Sequence, residues 1–296
     1  MLSHVDLFLP DLTPPLEGLT IAHVTDLHVA GRRRRHNHII AALERIETDL
    51  ALFTGDYMDW PGDERVTFEV MRDVAASVRT RYGAVGVFGN HDTPMLQELL
   101  EELPIAWLRD DRFQLPAGAR FPGAGAPAVL EVLGVDASEG WTGDAVALLL
   151  RVHNGYGHGP TGLGSAGPAS SQVGVAPSRA GAARSQRPLR LLLSHYPMYL
   201  PTAADLGVDI MFSGHTHGGQ CRVPPRRALT NSSDLPMHLT SGILRHRHTL
   251  CVVSRGLGET LLPLRLFCPP HIPVYTLRRG PMVGVATEHM ENFQPW

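Results

Sequence analysis

Residues Phe212-Ser213-Gly214-His215-Thr216-His217-Gly218-Gly219-Gln220 continue the apolar run Ile210-Met211-Phe212, and their reading decides the fold. The run has the length and apolar character of a buried strand. Two histidines at i and i+2 then stand between glycines that let the backbone turn tightly. Imidazole is a good ligand for borderline metals at neutral pH, and the glycines leave room for ions and an anionic substrate. Alone, His-x-His is weak support, because such pairs also occur on surfaces and in packed cores. The weight comes from four stretches upstream, each at the end of an apolar run.

The strand Leu19–Val24 runs into Thr25-Asp26-Leu27-His28. In an extended segment, Asp26 and His28 would point to the same side, so one ion could take both. The strand Asp49–Thr54 leads to Gly55-Asp56, with Asp59 three residues on. The strand Ala84–Phe88 ends in Gly89-Asn90-His91-Asp92, where Asn90 offers a neutral oxygen. Asp92 beside His91 would fix the tautomer and raise the imidazole pKa, suiting His91 to acid or base work. The strand Leu189–Leu193 ends in Ser194-His195-Tyr196-Pro197. Five strand ends thus supply Asp26, His28, Asp56, Asn90, His195, His215 and His217. Strand C-terminal ends gather on one edge of a mixed sheet, where α/β enzymes place their sites. The set exceeds one tetrahedral ion and suffices for two ions about 4 Å apart sharing one carboxylate.

Composition bounds the rest. The 296 residues are 43% hydrophobic and 19% charged, which suits one large domain with a sizeable core. A net charge of −3 is too small to imply nucleic acid by bulk electrostatics. All 26 basic residues are arginine, which excludes a catalytic lysine or Schiff base. The three cysteines, Cys221, Cys251 and Cys268, are widely spaced and in no C-x-x-C, so they are read as reduced and the protein as cytoplasmic. No signal peptide or membrane span is visible. Helices are expected at His36–Thr48, Asp63–Arg81, Pro94–Leu103 and Asp144–Val152, with an edge strand at Val5–Leu9. Strands are expected at Ala128–Val135, Thr249–Ser254 and Val274–Leu277, and irregular chain between Pro224 and Arg247. Residues 154–187 are rich in Gly, Ala, Ser and Pro and read as a flexible insertion in a single domain spanning 1–280. The tail 281–296 is expected to be poorly ordered.

Two basic clusters carry a second theme. Arg32–Arg35 is either a solvated face or a collar that draws anions, or the acidic headgroups of a membrane, toward the site. Arg222, Arg226 and Arg227 follow the last motif, interleaved with Val223, Leu229, Leu235, Met237, Leu239, Ile243 and Leu244. Those apolar residues suit the acyl part of an anionic lipid, or simply pack a minor strand.

The five stretches together resemble the calcineurin-like metallophosphoesterase superfamily. The match is carried by Asp26-Leu27-His28, Gly55-Asp56-Tyr57-Met58-Asp59, Gly89-Asn90-His91-Asp92, Ser194-His195 and Gly214-His215-Thr216-His217. The run on to Gly218-Gly219-Gln220 and the element Cys268-Pro269-Pro270 resemble a bacterial phosphodiesterase branch that includes UDP-diacylglucosamine pyrophosphohydrolases. His271 departs from that branch, whose members tend to be acidic there. The resemblance implies an α/β fold, a four-layer α/β/β/α sandwich of two mixed sheets. It implies two divalent ions (Mn, Fe or Zn): Asp26, His28, Asp56 and His217 on one, Asp56, Asn90, His195 and His215 on the other. A hydroxide bridging them would hydrolyse a phosphodiester or pyrophosphate, His91 protonating the leaving oxygen, Asp92 orienting His91 and Asp59 supporting the ligands. The substrate would be a phosphate-containing small molecule or lipid, with a broad-specificity phosphodiesterase as the alternative. All seven ligand positions and His91 are present, unlike in members of the fold that lose them and act as scaffolds.

Overall fold

A computed structural model describes residues 1–116, 128–137, 187–223, 227–229, 233 and 235–287. In chain order the first half comprises β1 (Leu2–Leu9), β2 (Thr20–Val24), α1 (Arg34–Leu43), β3 (Glu47–Thr48), β4 (Leu50–Thr54), α2 (Glu64–Ser77), β5 (Arg79–Thr80), β6 (Ala84–Val87), α3 (Pro94–Leu100) and β7 (Ile105–Trp107). The second comprises β8 (Asp111–Pro116), β9 (Ala128–Val135), β10 (Leu189–Ser194), α4 (Leu200–Asp205), β11 (Ile210–Ser213), β12 (Arg222–Val223), β13 (Arg227–Ala228), β14 (Gly242–His246), β15 (Thr249–Val253), β16 (Ile272–Arg279) and β17 (Val285–Ala286).

Two mixed sheets form, one in the order β1-β16-β2-β4-β6-β7 and the other β17-β14-β15-β11-β10-β9-β8. Within them β2, β4 and β6 are parallel, as are β10, β11 and β15. Strand alternation sorts the side chains into layers. Leu50 and Leu52 of β4 meet Leu191, Leu193, Phe212 and Val252 of the other sheet in an inter-sheet core. Ala51 and Phe53 face the opposite way, against Ile39 and Leu43 of α1, Val70 and Val74 of α2, and Leu96 and Leu100 of α3. Met211, Cys251 and Leu192 on the outer face of the second sheet pack against Leu200 and Ala203 of α4. The result is the expected helix/sheet/sheet/helix sandwich.

One polar group lies inside the inter-sheet layer. His23 is fully buried, edge-on to Phe212 at 5.6 Å between centroids, and its Nε2 lies 2.8 Å from Thr54 Oγ1. Burial pushes its imidazole down to about 3, so it stays neutral.

Several boundaries differ from expectation. The helix expected to reach Thr48 stops at Leu43, because Glu47 and Thr48 pair with Arg79 and Thr80. That pairing also ends α2 at Ser77 instead of Arg81. Helical periodicity was correct in both, and tertiary strand pairing overrides it at the ends. Part of the stretch expected to be irregular is the strand β14, an antiparallel hairpin with β15. Its turn is Arg247-His248, with Arg247 in left-handed backbone and no Gly or Asn to signal it. The expected disorder of 281–296 gives way at Val285 and Ala286, which pair with Leu244 and Arg245. The expected helix over Asp144–Val152 and nearly all of the 154–187 insertion lie outside the described residues. No helix among the described residues is long and apolar enough to cross a membrane.

Phe212 is fully buried between the sheets and touches both His23 and Tyr275. Phe212→Ala should lower unfolding free energy by roughly 3–5 kcal/mol in urea titration. A loss under about 1 kcal/mol would show that the two sheets do not close on this residue.

Candidate metal centre

The loops at the C-terminal ends of β2, β4 and β6 in one sheet and of β10 and β11 in the other bring their side chains together at one edge of the sandwich. Asp26, His28, Asp56, His195 and His217 are all at most 2% exposed there. The loops after β2 and β4 run side by side, with Asp26 N–H donating to Gly55 O at 3.0 Å and His28 N–H to Asp56 O at 3.1 Å.

Asp26, His28 and His217 form one cluster whose ligand atoms lie within 4.8 Å of one another, and Asp56, His195 and His215 form another. Asp56 Oδ2 stands between them, 3.4 Å from His28 Nε2 and 3.0 Å from His195 Nε2. His28 Nε2 and His217 Nε2 face each other at 2.9 Å, and His195 Nε2 lies 3.2 Å from His215 Nδ1. Asn90 lies exposed at the rim, between Gly89 and His91. Its neighbours fix its place: His91 N–H donates to Asp56 Oδ1 at 3.0 Å.

Asp26 and His28 do not converge as successive same-side residues of an extended strand. Both have left-handed backbone, φ 50° and 42°, and so do Asp56 at 56°, His215 at 68° and His217 at 51°. L-residues rarely adopt this region, and clusters of such strain mark sites that the surrounding fold over-determines. Glycines make the crowding possible. A Cβ on Gly89 would fall on Asp56 Oδ1, and one on Gly214 on the Asp26 carboxylate.

Outer partners set the ring orientations. His195 Nδ1–H donates to Thr54 O at 2.7 Å, which leaves the Nε2 lone pair toward Asp56. His28 Nδ1 lies 3.2 Å from Asp59 Oδ1, leaving its Nε2 toward Asp56 and His217. Asp59 thus supports His28 as expected.

Asp92 departs from expectation. Its carboxylate does not reach the His91 ring. Oδ2 accepts from the N–H groups of Asp56 and Gly89 at 2.9 and 2.8 Å, and Oδ1 from those of Tyr57 and Met58 at 2.8 and 3.3 Å. Asp92 therefore staples the loop after β4 to the loop after β6. The His91 ring is held by Asp59, Nδ1–H donating to its carbonyl oxygen at 2.7 Å. Adjacency in sequence suggested the wrong carboxylate, because side chains of neighbouring residues diverge in a turn.

The basic clusters also differ. Arg32 pairs with Asp73 at 2.6 Å, while Arg35 pairs with Glu259 and donates to His28 O at 2.8 Å. Arg222 donates to Gly218 O and Ser241 Oγ, each at 2.6 Å, so it braces the histidine turn. Arg226 lies outside the described residues. Leu235, Leu239 and Leu244 are core residues, whereas Val223, Leu229 and Met237 are exposed. Arg265 carried no signal, being a lone arginine in an apolar loop. It reaches His217 O at 3.3 Å, and the Cys268 thiol lies 3.4 Å from the same oxygen. His271 lies 2.6 Å from Ser3 Oγ and is in none of the ligand clusters.

The residues present fit divalent cations. Asp26 Oδ2 is buried with no hydrogen-bond partner. Paired imidazole nitrogens at 2.9 Å need a proton or a cation between them. Mixed N/O donors with a shared carboxylate suit borderline metals. The metal-free chain must use protons instead. Burial opposes protonation of His28 and His195, but the adjoining carboxylates, Asp56 foremost, outweigh it and raise both to about 9. Burial and the His28 charge hold His217 well below its ordinary value. Burial pushes Asp26 up. Burial and the Asp56 charge bring Asp92 up to about 7.

Raised folded-state values for His28 and His195 stabilise the metal-free chain fully below the ordinary imidazole value of 6.5. That contribution is lost as pH rises through about 9. The Tm of chelator-treated protein should therefore decline between pH 7 and 9.5, by several degrees or roughly 1–3 kcal/mol. A Tm that is flat or rising over that interval would contradict protonation at these two histidines.

Residues 19–219 match the model of the calcineurin-like phosphoesterase family. The uncharacterized metallophosphoesterase YkuE of Bacillus subtilis is 24% identical over 271 residues, covering 88% of this chain and 80% of the relative. The metallophosphoesterase YkoQ of the same organism is 21% identical, covering 90% and 86%. The phosphodiesterase YaeI of Escherichia coli is 25% identical over 232 residues, covering 77% and 70%. The chain belongs to the calcineurin-like phosphoesterase family and is a metal-dependent phosphoester hydrolase.

Proposed function

We propose that this chain hydrolyses phosphodiester or pyrophosphate bonds at a two-ion centre. The single observation that carries this reading is Asp56 Oδ2, set between His28 Nε2 and His195 Nε2 at 3.4 and 3.0 Å. One ion would be held by Asp26, His28, Asp56 and His217, the other by Asp56, Asn90, His195 and His215. Divalent ions supply charge neutralisation of the phosphoryl oxygens and activation of water, and Mn, Fe or Zn suit these donors.

His91 works from the rim. Its Nδ1–H is committed to Asp59 O, so Nε2 is the nitrogen that can carry a second proton to a leaving oxygen. Its ring lies 4.8 Å from that of His28 and is half-buried. Tyr196, also half-buried, lies edge-on 4.6 Å from the His215 ring and walls the second cluster. The phosphodiester reading gains support from the activity in the name of the E. coli relative. An acylated nucleotide diphosphate such as UDP-diacylglucosamine is the narrower substrate suggested by Gly214-His215-Thr216-His217-Gly218-Gly219-Gln220. A broad-specificity phosphodiesterase is the alternative.

Hydrolysis of an aryl phosphodiester, an aryl phosphomonoester, a cyclic nucleotide and acylated and deacylated nucleotide diphosphates should separate these substrates. All activity should vanish on chelation and return with Mn, Fe or Zn. Equal turnover of acylated and deacylated substrates would leave the broad-specificity enzyme.

Three variants divide the roles. Asp56→Ala should abolish turnover and lower metal content more than any other ligand change; two ions retained per chain on elemental analysis would refute the shared carboxylate. His91→Ala should keep its metal while kcat falls on the order of a hundredfold or more. Near-normal turnover of a substrate with a poor leaving group would remove His91 from proton transfer. Asp92→Ala leaves four buried N–H groups without an acceptor and should cost about 3 kcal/mol or more of stability. A stable variant with only kcat lowered would instead restore Asp92 as the orienting partner of His91.

A further inference from the structure

The loop 260–267, Thr-Leu-Leu-Pro-Leu-Arg-Leu-Phe, presents an apolar face that no core requires. Leu261 is 82% exposed, Leu262 63%, Leu264 54% and Phe267 63%. Isolated exposed leucines are ordinary, but four large apolar side chains on one short loop form a patch that marks a binding surface.

The loop is built, not loose. Gln220 Nε2 donates to Thr260 O at 3.0 Å and Leu262 O at 2.9 Å, and Gln220 Oε1 accepts from Thr260 N at 3.0 Å. Arg222 N–H donates to Leu266 O at 2.8 Å. Arg265 turns inward to His217 O. The leucines on either side of it are thereby held outward.

Strain points the same way. Leu261 and Phe267 sit in left-handed backbone, φ 63° and 52°, where glycine or asparagine would be at ease. A fold that keeps two exposed, bulky apolar residues in that region retains them against their conformational cost.

Charge selects the occupant. Residues 260–271 contain no acidic side chain. Glu259, just before them, is neutralised by Arg35, which ties the loop to the basic run. Arg33 and Arg34, two and one residues from that pair, are exposed; Arg33 feels the charge of Asp63 at the surface, and Arg34 is in no ion pair among the described residues. Apolar side chains flanked by arginines match an interface of acyl chains beneath anionic headgroups. Two copies of this face would set arginine against arginine.

We propose that loop 260–267, with Arg33 and Arg34, docks the protein on the surface of an anionic lipid bilayer, the metal centre lying beside the contact through Arg265 and His217. The proposal concerns binding, so it stands apart from the hydrolytic reading; it adds that phosphoesters presented at such a surface reach the centre.

The test is co-sedimentation of the metal-replete protein with vesicles of mixed phosphatidylcholine and phosphatidylglycerol, and of phosphatidylcholine alone. Wild type should bind the mixed vesicles, and more weakly as salt rises. Leu261→Asn with Phe267→Asn should weaken binding about tenfold or more. The same double variant should keep or raise Tm, since asparagine tolerates the left-handed backbone. Arg33→Ser with Arg34→Ser should remove the preference for phosphatidylglycerol. Hydrolysis of a soluble aryl phosphodiester should be unchanged in both, and its absence in wild type would count against the hydrolytic reading alone. No binding by wild type, equal binding by the asparagine variant, or wild-type dimerisation that the asparagine variant abolishes would each overturn the docking proposal.

Discussion

The structure depends on one buried carboxylate. Asp56 Oδ2 has histidine nitrogens from two different sheets at 3.4 and 3.0 Å, and its other oxygen accepts from His91 N–H. A carboxylate 2% exposed among buried imidazoles is tolerable only while positive charge surrounds it. His28 and His195 hold it well below the usual carboxylate range despite burial. Much of the surrounding architecture places those groups. Parallel β2, β4 and β6 deliver three ligand loops to one edge, and parallel β10 and β11 deliver two from the facing sheet. The inter-sheet core around Phe212 sets the distance between them.

The same constraint explains why the loops are strained. Strand ends that must fold back within hydrogen-bonding range of each other cannot stay extended, and five of the seven proposed ligand positions have φ between 42° and 68°. Asp92 makes this arrangement affordable by receiving four backbone N–H groups, so the turns after β4 and β6 hold each other. Arg222, Arg265 and Cys268 do the same for the turn at His217 and Gly218.

Much of this was legible in the sequence. Short apolar runs that stop at Asp26, Asp56, Asn90, His195 and His215 announce buried parallel strands with a shared edge, and hydrophobic burial places such runs reliably. The helical faces of α1 and α2 were equally clear, though not their ends. Features that depend on tertiary partners were not legible. Asp92 looked like the partner of His91 because it is adjacent, yet the carbonyl of Asp59, 32 residues away, holds the ring. Arg222 stood in a basic cluster after the last motif, where charge suggests exposure, yet the Gly218 carbonyl and the Ser241 hydroxyl claim it. Leu235, Leu239 and Leu244 looked available to an acyl chain, but the outer face of the second sheet needed covering. Arg265 and the outward leucines beside it gave no periodic signal at all, since a loop held by Gln220 obeys neither the helical nor the strand period.

The claim on which this account rests is that Asp56 is shared by two ions. Crystals of the metal-replete protein, measured with anomalous scattering at the edge of the bound element, test it most directly. The account predicts two peaks, one on either side of the Asp56 carboxylate, the first among Asp26, His28 and His217 and the second among Asn90, His195 and His215. A single peak, or two peaks of which either lies out of reach of Asp56, would contradict it.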